Sequence, residues 1–131
     1  MITLLSRNVQ PYRELIDNAN VIINAFDSSG NILIWNRAAE EASGYSAKEA
    51  IGNKKIMELL YPDARYRKEV LKCVGTAFKN NYKNVEFILM TKYGEKKCIS
   101  WSAIAVRNKK GKVVGSFAVG IDVTIKNLIK E

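Results

Sequence analysis

The chain contains no histidine. With no imidazole there is no ready general base at neutral pH, no histidine-activated nucleophile and no histidine-ligated zinc. Cysteine is almost as scarce. Cys73 and Cys98 stand far apart without metal-type neighbours, so they read as two reduced, largely buried thiols and not as a disulfide or a ligand pair. No glycine-rich loop opens a helix, which removes the usual phosphate cradle. No apolar run reaches the ~20 residues that span a bilayer. The first residues, MITLLSRNVQPYRE, lack the apolar core and small-residue cleavage site of an export signal, which points to the cytoplasm. Carboxylates are plentiful, yet no pattern pairs them for catalysis, and Glu40-Glu41 reads as a solvated helix face. The expectation is a regulatory domain and not an enzyme.

What is present suffices for one core. With 131 residues, 47% of them hydrophobic, the chain makes a single domain with short flanking helices. The net charge of +8 raises nucleic acid, acidic protein surfaces and anionic membranes as partners. Many cations fall where a solvated surface accounts for them, in turns (Lys92, Lys96, Lys97; Lys109, Lys110, Lys112) or on the polar side of a helix (Arg65, Lys68, Lys72). That distribution argues against a nucleic-acid binder.

The most informative stretch is Asn20 to Gly52. Val21 to Phe26 and Ile32 to Trp35 are β-branched and aromatic, and Asp27-Ser28-Ser29-Gly30 between them are turn formers, so a hairpin is expected. Asn36 can cap a helix over Arg37 to Ser43, Gly44 supplies a left-handed stop, and Ser46-Ala47-Lys48-Glu49 spells a capping box ended by Gly52. Ile56 to Leu60 is a short apolar piece. Pro62 and Asp63 then open the longest helix, expected to reach about Asn80, with Tyr66, Val70, Val74 or Cys73, and Phe78 or Ala77 inward, and Arg67, Lys68, Lys72 and Lys79 toward water.

Three strand-like runs follow, Asn84 to Lys92, Lys96 to Arg107 and Lys112 to Val123, joined by the turns Tyr93-Gly94-Glu95 and Asn108 to Gly111. Alternation puts Val85, Phe87 and Leu89 on one face of the first, and sets Ile99, Trp101, Ala103 and Ala105 against Cys98, Ser100 and Ser102 in the second. In the third, Ser116, Ala118, Gly120 and Phe117, Val119, Ile121 are both admissible inward sets. Two strands, helices, then three strands give an α+β fold with one antiparallel sheet.

Taken in order, Gly30-x-Ile32-x-x-x-Asn36, Gly44-Tyr45, Glu49-x-x-Gly52 and the closing Asp122-Val123-Thr124 resemble the signature of PAS sensor domains. The resemblance implies five strands in spatial order 2-1-5-4-3 with the helices on one face, and a domain over residues 20–124. The segment 1–19, with Leu5, Val9, Tyr12, Leu15 and Ile16 in a helical stripe and Pro11 at its first turn, is the flanking amphipathic helix through which PAS-like domains commonly dimerise. Residues 125–131, with Ile125, Leu128 and Ile129 at helical spacing, are expected to be either the start of a C-terminal linker or coiled coil or a frayed terminus.

The resemblance also implies an apolar cavity between sheet and helices. Its candidate wall is Asn24, Phe87, Leu89, Ile99, Trp101, Ala103, Phe117 and Val119, with Asn24 as the polar group that would orient a ligand. A small apolar metabolite, a fatty acid or a noncovalent flavin would suit such a site. Haem would need an unusual ligand such as Cys73, Met57 or Tyr66 in place of the missing histidine. Covalent flavin photochemistry is disfavoured, because Arg65-Tyr66-Arg67 and a later Cys73 replace the Asn-Cys-Arg-Phe-Leu-Gln-type motif. Asp122 and Thr124 form the expected signal-output junction. The expected function is a cytoplasmic PAS sensor and dimerisation domain of a larger two-component signalling protein, such as a sensor histidine kinase, joined to a C-terminal effector. The alternatives are a constitutive interaction module with no ligand and a basic nucleic-acid-binding domain.

Overall fold

Five runs of alternating side chains pair into one antiparallel sheet in the computed structural model, which describes residues 10–77 and 79–125. The strands are β1 (Ile22–Asp27), β2 (Ile32–Trp35), β3 (Tyr82–Met90), β4 (Lys96–Arg107) and β5 (Val113–Asp122), in spatial order β2-β1-β5-β4-β3. This is the order that the resemblance implies. A tight helical turn over Gln10–Tyr12 leads into α1 (Arg13–Asn18) ahead of β1. Between β2 and β3 lie α2 (Arg37–Ser43), α3 (Ala47–Ala50), α4 (Ile56–Leu60) and α5 (Ala64–Thr76).

Local chemistry sets most boundaries. Asp27 Oδ1 accepts from the Ser29 and Asn31 amides, which closes the β1–β2 turn. Asn36 caps α2 through the Ala39 amide and Gly44, at φ 82°, ends it in the left-handed region. Its Ser43 carbonyl accepts from the Lys92 amide at 2.8 Å, so the end of α2 is fastened to the β3–β4 turn. The Ser46–Glu49 capping box starts α3, and Asp63 caps α5 through the Tyr66 amide.

The sheet has two unlike faces. Ile22, Phe26, Ile32, Trp35, Ile99 and Trp101 point inward with Ala103 and Ala118, and α2, α4 and α5 close over them to form the main core. On the other face Ile16 of α1 packs with Ala25, Ile34 and Phe117 in a smaller cluster. Beyond that cluster no described element covers the outer face, and Ile88, Ile104, Val119 and Ile121 are exposed there among the described residues.

Some boundaries differ from the sequence reading. The long helix stops at Thr76, four residues early, where Gly75 weakens it and the Thr76 carbonyl accepts from the Lys79 and Asn80 amides in a turn. The chain then enters β3 at Tyr82, where the Asn81 side chain takes the Ala105 amide, and Asn84 adopts φ 55° at an irregularity in the β3–β4 pairing. Arg67, read as solvated, instead donates to the Tyr61 carbonyl at the end of α4. In the N-terminal stripe Ile16 is packed but Tyr12 and Leu15 are exposed. Leu5, Val9, Phe78, Leu128 and Ile129 lie outside the described residues.

Candidate functional site

Between the inner sheet face and the helices is an apolar cavity of about 40 Å³. Strand pairing builds its floor. Asn24 on β1 is opposite Ala118 on β5, and Gly120 is opposite Trp101 on β4. A β-carbon at Gly120 would come within 2.7 Å of the Trp101 ring, so the glycine lets the indole lie flat against β5. Met57, Tyr61, Val70 and Val74 come from the helices to form the roof.

Almost every polar group on this wall is occupied. The Trp35 indole donates to the Tyr45 carbonyl at 2.9 Å, and the Ser43 hydroxyl donates to the Ala39 carbonyl at 2.7 Å. Burial pushes the Tyr61 hydroxyl well above the usual phenol range, and the adjacent Trp101 indole offsets only part of the shift. Tyr82 is likewise raised by burial, then by the Cys73 thiol, and burial holds Cys73 in its protonated form. Asn24 is the exception: it is 6% exposed, and its Oδ1 has no hydrogen-bond partner.

The structure brings Asn24, Phe87, Leu89 and Trp101 together on the cavity wall. Ile99 and Ala103 belong to the same core without lining the void. Phe117 and Val119 are corrected: both sit on the outer face, Phe117 in the α1 cluster and Val119 38% exposed. The reason lies at Gly120: a β-carbon there would come within 2.7 Å of Trp101 and 2.8 Å of Ile99, so β5 turns the Gly120, Ala118 and Ser116 side inward and Phe117 and Val119 outward. The sequence carries a trace of this in Gly120 itself, since a glycine inside a strand-like run marks a close approach by a neighbouring strand. The helix contributions of Met57 and Tyr61 have no comparable mark, because the register of a short helix over a sheet is a tertiary property.

The helices are tied to the β3–β4 turn by an exposed latch. Lys92 Nζ is 2.8 Å from Glu49 Oε2 and 5.9 Å from the centre of the Tyr45 ring. The Lys92 contact, reinforced by the Ser46 amide, lowers the Glu49 carboxyl to about 2.

The second site is where the chain leaves the sheet. Thr124 Oγ1 accepts from the Cys98 amide at 2.9 Å and contacts Asp122 Oδ1 at 2.6 Å, while Asp122 Oδ1 also accepts from the Thr124 amide at 3.0 Å. The Val123 amide donates to the Cys98 carbonyl at 2.9 Å. Asp122 and Thr124 therefore clasp the end of β5 to β4.

A sequence model described as the PAS fold matches residues 10–123. The chain belongs to the PAS family. A region of phytochrome D from Arabidopsis thaliana is 31% identical over 122 residues, covering 89% of this chain and 10% of that protein. Phytochrome B from Arabidopsis thaliana is 30% identical over 122 residues, again across 89% of this chain. The chain thus spans about a tenth of the length of the phytochromes it matches. The crystal structure of a PAS domain from a Colwellia psychrerythraea protein superposes with a TM-score of 0.76 at 22% identity, covering 90% of this chain and 98% of that one. As a PAS domain, the chain is of a sensory type found in signalling proteins.

The void of this PAS domain is far smaller than the ~300–1,000 Å³ of sites that hold drug-sized ligands. Its residues as packed do not fit a flavin or a haem. Among the described residues no three His, Cys, Asp or Glu side chains stand together as a metal site, and no helix is long and apolar enough to cross a membrane.

Proposed function

We propose that this PAS domain is the input and dimerisation unit of a longer cytoplasmic receptor, a sensor histidine kinase or a protein of that kind, and that it regulates without catalysing. The observation that carries the reading is the unpaired Asn24 Oδ1 inside the apolar cavity. A buried acceptor without a partner costs about 1–3 kcal/mol, so a small molecule bringing a hydrogen-bond donor to Asn24 Oδ1 stabilises the state that binds it. Asn24 is opposite Ala118, four residues before the Asp122–Thr124 clasp on the same strand. A shift of β5 at the ligand therefore reaches the chain exit through one rigid strand. The bare outer face, with Ile88, Ile104, Val119 and Ile121, is the surface on which two copies pair.

One observation favours a second reading. The cavity is so nearly filled that the domain suits constitutive assembly with no ligand at all. Denaturing mass spectrometry and an absorbance scan of the purified protein separate the two. A bound metabolite in stoichiometric amount is the expected result, and repeated ligand-free preparations of a stable dimer would overturn it in favour of assembly.

A further inference from the structure

We propose that the end of the sheet carrying the β4–β5 turn is a docking surface for the anionic face of a lipid bilayer. Three segments distant in sequence meet there. Asp27 at the β1–β2 turn is opposite Gly115, Arg107 is opposite Val113, and Asn81 binds the Ala105 amide beside β4. This arrangement gathers Lys79, Lys83, Arg107, Lys109, Lys110 and Lys112, all exposed, around one carboxylate, Asp27. The group thus holds five of the chain's eight excess positive charges. Asp27 is already engaged by the Ser29 and Asn31 amides and the Asn31 side chain. Among the described residues the one ion pair is Glu49–Lys92, so none of the six cations is paired.

The tip is rigidly held. Asn108 Oδ1 accepts from the Lys110 and Lys112 amides, and the Arg107 guanidinium donates to the Gly111 carbonyl at 2.9 Å. That bond engages the one Arg of the group and leaves five lysines, which are compact, hydrated point charges without a bidentate fork. Among the described residues, none of the three segments exposes an aromatic ring to stack a base or an apolar anchor of the kind that fixes a protein interface. What remains is delocalised charge spread from β3 to β1, about 14 Å at ordinary strand spacing, which a planar sheet of headgroups can meet all at once. Both connections to the flanking chain leave from the opposite end, where Ile22 pairs with Gly120, so nothing in the described fold covers the basic end.

Sedimentation with vesicles tests this on the full chain. The protein should pellet with vesicles of phosphatidylcholine and phosphatidylglycerol in equal parts, not with phosphatidylcholine alone, and be released by ~0.5 M salt as the charges are screened. At about fivefold per cation, the combined Lys109→Gln, Lys110→Gln and Lys112→Gln variant should bind about 100-fold more weakly. Lys48→Gln, Lys54→Gln and Lys55→Gln together make the same change in net charge away from this end and should bind as the unaltered protein does. Failure to pellet at low salt, equal loss in both variants, or capture by a DNA duplex or polyglutamate in place of vesicles would each overturn the proposal.

Discussion

The Thr124 hydroxyl accepts the backbone amide of Cys98 across 26 residues of sequence, at 2.9 Å, and so fixes the last turn of the chain out of the sheet. Thr124→Val keeps the shape and removes that acceptor. The domain should lose about 1–2 kcal/mol for the unpaired amide. In the parent protein the output should fall well beyond any change in ligand affinity. Matched losses of output, affinity and thermal midpoint would reduce Thr124 to a fold support.

Asn24→Leu replaces a buried amide whose oxygen has no partner with an apolar side chain of similar volume. The empty domain should gain about 1 kcal/mol, seen as a higher urea midpoint at unchanged slope, while its response to ligand disappears. A lower midpoint would show that the amide supports the fold.

Much of the fold is legible in the sequence because much of it is local. The Asp27 turn, the Asn36 cap, the Gly44 stop and the Ser46–Glu49 box each lie within a few residues of their partners, and the structure forms all of them. Long-range relations leave less mark in the sequence. The side chain of Asn36 is a visible cap, but its bonds to the Ile16 and Val21 carbonyls depend on where α1 docks. Phe117 and Val119 could not be assigned from alternation alone, since apolar residues occur on both sides of β5. Of the proposed cavity wall, strand period marks the β1, β3 and β4 residues, whereas nothing local marks the roof.

Asn36 uses its whole amide: Oδ1 accepts from Ile23 and Ala39, and Nδ2 donates to Ile16 and Val21. Asn36→Ala should therefore cost about 3–5 kcal/mol, among the largest single losses in the chain. Urea denaturation gives the value, and a loss near 1 kcal/mol would mean that water replaces the amide.

Acid should weaken the latch between Glu49 and Lys92. The folded carboxyl titrates near 2 against an ordinary 4.5, so its stabilisation is complete above the ordinary value and is lost as pH falls from 4.5 toward 2. Thermal midpoints of the unaltered protein and of Lys92→Met should differ at neutral pH and converge in acid. A constant difference across that window would contradict the assignment.

Ile104→Lys with Val119→Lys puts two charges on the bare outer face without touching the inner core. Analytical ultracentrifugation should show the paired form replaced by monomer, with the urea midpoint nearly unchanged. A persistent dimer would move the interface elsewhere.

Ile22 opens the first strand directly beside Gly120, near the close of the last. Neighbouring strands are about 5 Å apart, so the way in and the way out of the fold are adjacent threads. Such a unit can be spliced between two segments of a host protein, or removed, with almost no change in their spacing. A host joined at both threads would feel any relative slip between them as a displacement at a single point.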